Sequence, residues 1–133
     1  VTFAITPGEL EFQYGLSLNG QTYKIFAATT GSLTLASTLT AWEAAEIATI
    51  NGYAALTGTL PAGTYDATAG RYTPPIISGQ FGPATGAGFQ FDAMVIKIGT
   101  SRTRPYAVRL LPAPVLLIAG QTRSFEITIG TKV

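Results

Sequence analysis

The side chains able to do chemistry in this sequence come in local groups. Glu9 and Glu11 stand two apart in "PGELEFQYG", and Glu43 and Glu46 three apart in "AWEAAEIA". Asp66 and Arg71 bracket a turn-rich stretch, "YDATAGRY", and Arg102, Arg104 and Arg109 flank Tyr106. Two carboxylates facing one another across a cleft would point to glycoside hydrolysis. Here each pair is made of near neighbours on one open element, Glu9 and Glu11 on a strand face and Glu43 and Glu46 on a helix face. They read as a solvated edge and a capped helix. Asp66 alone is a poor calcium site, since calcium takes several oxygen ligands. An Asx turn and an Asp–Arg pair are the roles expected of it.

Composition narrows the chemistry further. There is no cysteine, so no disulfide and no thiolate, and no histidine, which removes the commonest general base and metal ligand. Ser and Thr abound without a partner base, and Lys24 and Lys97 would serve as bases only if deeply buried. The Gly-rich "GPATGAG" lacks the Lys and the following helix of a phosphate loop. The chain is therefore read as a non-enzyme, with no catalytic residue, cofactor or metal. Net charge is +1, so no global field draws nucleic acid or anionic lipid. Three arginines around Tyr106 fit a contact with an acidic protein surface, or plain solvated charge, better than a nucleic-acid groove. Charged residues make up 11%, against roughly 25% in ordinary soluble domains. A surface of Thr, Ser, Gly and Ala lacks the charge that keeps monomers apart, and this points to assembly.

The elements that would position these groups read mostly as strands. Phe12, Tyr14, Leu16 and Leu18 share one face at period two, and Asn19-Gly20 then predicts a hairpin turn into Tyr23, Ile25 and Ala27. "SLTLAS" is a short strand candidate. Thr40 and Glu43 have the spacing of a capping box, so one short helix is expected near 41–47. A second hairpin turn is expected at Asn51-Gly52. "LPAGTYDATAGRYTPP" is a loop or a strand pair, and "IISGQF" is a strand. "FQFDAMVIKIG" shifts its apolar phase from Phe89, Phe91 and Ala93 to Met94, Ile96 and Ile98, which predicts a β-bulge or a strand that crosses between sheets. "YAVRLL" and the pair within "PVLLIAGQTRSFEITIG" complete the set. The turn spacing gives an all-β antiparallel sandwich, jelly-roll or immunoglobulin-like, forming one domain over 1–133. No stretch has the about 20 predominantly apolar residues of a membrane helix. Val1 without an initiator Met suits cytosolic processing in a bacterial host.

The segments "GTYDATAGRYTPP", "FDAMVIKIG" and "AGQTRSFEITIG", with the opening "ITPGELEFQYGLSLNGQTYKI", resemble small virion-associated proteins of tailed phages, particularly those of cyanobacteria. The resemblance spans most of the chain and brings no catalytic residues. It implies a structural protein made in the host cytoplasm and carried on the outer surface of the particle. A capsid decoration (cement) protein clamping the major capsid protein is the first expectation. A tail, baseplate or fibre-attachment protein is the second, and a carbohydrate-binding module for host attachment the third. The expected partners are virion subunits and further copies of the chain, as a trimer, with neither nucleic acid nor membrane. The loops at 82–88 and 100–106 are the candidate contact surface, with Arg102, Arg104 and Tyr106, together with Pro112 and Pro114 in the apolar "LLPAPVLL".

Overall fold

The computed structural model describes residues 1–100 and 102–129. Ser101, within the candidate loop 100–106, and Gly130, at the end of "SFEITIG", lie outside the described residues. Among the described residues there are two helices and eight strands. In chain order they are α1 (Pro7–Ser17), β1 (Thr22–Ala28), α2 (Leu39–Ala44), β2 (Leu56–Thr59) and β3 (Thr64–Asp66). There follow β4 (Arg71–Thr73), β5 (Ile76–Phe81), β6 (Phe89–Ile98), β7 (Ala107–Leu117) and β8 (Arg123–Thr128). The protein is mostly β, with one four-stranded antiparallel sheet of order β2-β1-β6-β7 and two two-stranded sheets, β3-β4 and β5-β8. The chain divides into two compact units, each assembled from segments distant in sequence.

The first unit takes residues 1–21, 59–78 and the chain from 126 on. It corrects the expectation of a strand over Phe12–Leu18, because residues 7–17 are helical. The start is set by "TPGE". The Thr6 side chain accepts a hydrogen bond from the Glu9 N–H at 3.2 Å, and Pro7 occupies the first turn, where its missing N–H costs nothing. Glu9 and Glu11 therefore share a helix rather than a strand face, and two residues apart on a helix they point in different directions. Pro7, Leu10, Tyr14 and Leu18 recur at helical spacing on the covered side, with Tyr14 and Leu18 fully buried. Asn19-Gly20 ends this helix instead of joining two strands. The Leu18 and Asn19 N–H groups both reach the Tyr14 carbonyl, and Gly20 turns out at φ +79°.

The helix packs on the β3-β4 hairpin. Tyr14 and Tyr72 meet with ring centroids 6.4 Å apart, and the Tyr14 hydroxyl donates to the Pro61 carbonyl. Asp66 makes the expected Asx turn, accepting from the Thr68 and Ala69 N–H groups, and stands opposite Arg71 in the ladder.

The second unit takes 22–58 and 79–125 and holds the large sheet. Ile25, Phe26, Ala27 and Ala28 of β1 are all buried, so both faces of this strand are covered. One cluster joins Phe26 and Ala28 to Ala93, Val95 and the indole of Trp42 from α2. Burying each large side chain of this kind contributes roughly 1.5–3 kcal/mol. A second cluster is aromatic, with Phe81 touching Tyr53, Phe91 and Phe125 at centroid distances of 5.2–5.7 Å. The ladder between β6 and β7 does carry an irregularity, but its extra residues lie on β7, and β6 keeps Phe89, Phe91, Ala93 and Val95 buried in alternation. Phe91 pairs with Val115 and Ala93 with Leu110, so the segment 111–114 of β7 stands opposite Asp92 alone. Pro112 and Pro114, which have no N–H to give a ladder, fall in that segment.

Other expectations shift in this unit. The helix is Leu39–Ala44, and its cap is Thr38, whose hydroxyl accepts from the Ala41 N–H, so Thr40 lies inside it. "SLTLAS" is not a strand, because Thr34 and Ser37 close a local turn through side chain and backbone. Asn51-Gly52 does form a tight turn, but in a loop between α2 and β2 rather than as the expected hairpin between two strands. Both residues have positive φ, and the Tyr53 N–H reaches the Ile50 carbonyl at 3.0 Å. β7 and β8 do not pair with each other; β7 joins β6, and β8 joins β5.

Candidate functional site

Two arrangements collect the polar chemistry of the second unit. In the first, Lys24 of β1 and Lys97 of β6 are direct cross-strand partners, a placement that is unfavourable for like charges. Each is met by a carboxylate, Lys24 by Glu46 at 2.7 Å and Lys97 by Glu43 at 3.1 Å. The other Glu46 oxygen accepts from the Tyr53 hydroxyl at 2.9 Å, and the Tyr53 oxygen accepts from the Ala27 N–H at 2.9 Å. Burial pushes the Tyr53 phenol up; the Ala27 hydrogen bond opposes this, and Glu46 adds to it. The cluster ties α2 and the following residues to the sheet. Sequence reading found the Glu43/Glu46 spacing and treated the lysines singly. What it missed is that strand register sets them side by side.

The second arrangement is the loop before β7. Arg104 donates to the carbonyl of Ala36, the residue after Leu35, a leucine left 66% exposed. Thr103 is bound through its carbonyl to the Leu39 N–H at 2.9 Å. Arg102 and Arg104 are exposed, while Tyr106 is half-buried and gives its backbone N–H to Ile96. Pro112 and Pro114 are exposed in the β7 bulge, well along the strand from this loop. The loop 82–88 is tied down at both ends. Ala84 bonds to Gln121, Thr85 to the Asn51 carbonyl, and the Asn51 side chain to the Gly88 carbonyl. Pro83 and the tip, 85–87, are exposed, while Ala84 and Gly88 are buried.

The first unit carries a surface that the sequence reading did not single out. Gly8, Glu11, Phe12, Gly15 and Leu16 line a shallow groove along α1. Their spacing is that of one helical stripe. Phe12 is 59% and Leu16 72% exposed, and Phe3 just upstream is 88% exposed. The signal that would have found this stripe is the "TPGE" start, which sets residues 12 and 16 opposite the buried Tyr14 side. Glu11 also lies close enough to Tyr72 for its charge to reinforce the upward push that burial gives that phenol.

Among the described residues no group of three or more acidic side chains is placed to hold a metal ion, and no helix is long and apolar enough to cross a membrane. Comparison with protein-family models, with curated proteins and with solved structures finds no match.

Proposed function

We propose that this protein is a non-enzymatic structural component of a tailed-phage virion, a decoration protein that clamps major capsid subunits from the outer surface. The observation that carries the reading is exposed apolar surface on a chain with little charge. Phe12 and Leu16 on α1, Leu35 ahead of α2, Leu110 and Leu116 on β7 and Ile118 just past its end are all open to solvent. Apolar side chains grouped in this way mark contact surfaces for other proteins. The resemblance of "GTYDATAGRYTPP", "FDAMVIKIG" and "AGQTRSFEITIG" to virion proteins supplies the setting. The polar side chains of the Lys–Glu–Tyr cluster are spent on one another, which suits a scaffold. As the finer reading of the fold, we propose a β-sandwich, with the four-stranded sheet, apolar on both faces of β1, as its best-formed part.

Imaging of the particle tests this. Density for the chain repeated over the capsid lattice is expected, with the Arg102→Glu, Arg104→Glu variant shed at lower salt than the parent. Density confined to the tail would move the protein to the tail or baseplate reading. Absence from mature particles would end the structural reading.

A further inference from the structure

The exposed stripe of α1 has a sign. Glu9 and Glu11 lie on the helix and no basic residue does. Glu11 is the charge that lines the stripe, so two α1 stripes paired with each other would bring like charges together, and a surface of opposite charge fits it better. The first unit as a whole leans acidic, with Glu9, Glu11, Asp66 and Glu126 against Arg71 among the described residues. The second unit leans basic. Beside the Lys24–Glu46 and Lys97–Glu43 pairs it carries Arg102, Arg104, Arg109 and Arg123 against Asp92 among the described residues. Within that basic unit, Arg104 is held by the carbonyl of Ala36, the residue that follows exposed Leu35 in the chain. A guanidinium already ordered in the free protein loses less freedom on binding.

We infer that the occupant of the α1 stripe is a second copy of this chain. Glu11, Phe12 and Leu16 of one copy seat on the Leu35–Arg104 corner of the next. Phe12 and Leu16 cover Leu35, and the Arg104 guanidinium meets the Glu11 carboxylate at the rim. The two surfaces differ, so the contact is heterologous, and it closes into a ring or runs on as a filament according to the rotation per copy. This contact stands whether or not the assembly it serves is a virion.

The test uses the purified full chain in analytical ultracentrifugation, over a concentration series at low and high salt. The parent is expected to self-associate, more weakly as salt rises. Phe12→Ser with Leu16→Ser, and separately Leu35→Asp with Arg104→Glu, are each expected to weaken association by at least about tenfold. Circular dichroism and thermal midpoints near the parent's establish that both variants fold. Leu35→Asp alone repeats the second arm with the Arg104–Ala36 bond intact. The decisive measurement is the mixture. Each variant keeps the surface the other has lost, so together they should recover a two-copy species that does not grow. A parent that stays monomeric at low salt would overturn the proposal. A mixture that stays monomeric would overturn it too, as would unchanged association in the Leu35 and Arg104 variants.

Discussion

The dipeptide Asn-Gly occurs twice in this chain and is used in two different ways. At Asn51-Gly52 both residues have positive φ, at 54° and 87°, and the turn is closed by the Tyr53 N–H. A Cβ on Gly52 would lie 2.2 Å from the Pro83 carbonyl oxygen, and the Asn51 side chain is bonded to Gly88. The turn is thus pinned on three sides. At Asn19-Gly20 only the glycine is left-handed, a Cβ there would meet nothing within 4 Å, and the pair stops a helix. The same two letters make an anchored corner in one unit and an open exit in the other. What differs is the neighbours, which the dipeptide does not encode.

Four substitutions test that contrast, starting with the largest effect. Gly52→Ala combines a left-handed backbone with a clash against fixed main chain, and should cost at least about 3 kcal/mol in a denaturant titration. Tyr53→Phe removes the hydroxyl that donates to Glu46 and accepts from Ala27, leaving both short of a partner, at a cost of about 1–3 kcal/mol. That variant also carries a pH signature. Burial holds the Tyr53 phenol above its ordinary 10.0, so the folded state keeps a proton that the unfolded chain gives up. Its contribution is complete below about pH 10 and fades as pH rises beyond that, so Tyr53→Phe should flatten the alkaline decline above about pH 10 and leave the profile below it unchanged in shape. Gly20→Ala meets the left-handed penalty alone and should cost about 1 kcal/mol. Asn19→Ala, at an exposed site with ordinary φ, should stay under about 0.5 kcal/mol. Equal costs at Gly52 and Gly20 would erase the distinction between the two corners.

Legibility in the sequence followed how local the cause was. The irregularity between β6 and β7 was readable only in part, because the apolar pattern from Phe89 to Ile98 marks β6 whereas the extra residues are those of β7 around Pro112 and Pro114. The Asx turn at Asp66 was readable because its cause lies in consecutive residues, Asp66 to Ala69. Helix α1 was misread because Phe12, Tyr14, Leu16 and Leu18 alternate by coincidence, and the alternation outweighed the Thr6-Pro7-Gly8-Glu9 start that governs the segment. α2 was found but displaced, since Thr38 and Thr40 offer the same hydroxyl and only tertiary packing of Leu39 and Trp42 chooses between them. The Lys24–Lys97 juxtaposition depends on the register between strands some seventy residues apart, and no local pattern announces it. Of the candidate contact residues, Arg102 and Arg104 do lie on one exposed loop, whereas Tyr106 is half-buried and the prolines belong to the bulge.

The bulge in β7 has a consequence for how this protein meets anything else. β7 is the outermost strand of its sheet, and an open strand edge invites a foreign strand to zip on through its backbone. Pro112 and Pro114 interrupt that edge midway with positions that carry no hydrogen to offer. An incoming strand would find two short stretches of ladder, too brief to hold it. The edge therefore works as a guard. It lets a chain rich in Thr and Ala be held at high concentration without running into fibrils, and it leaves recognition to side chains.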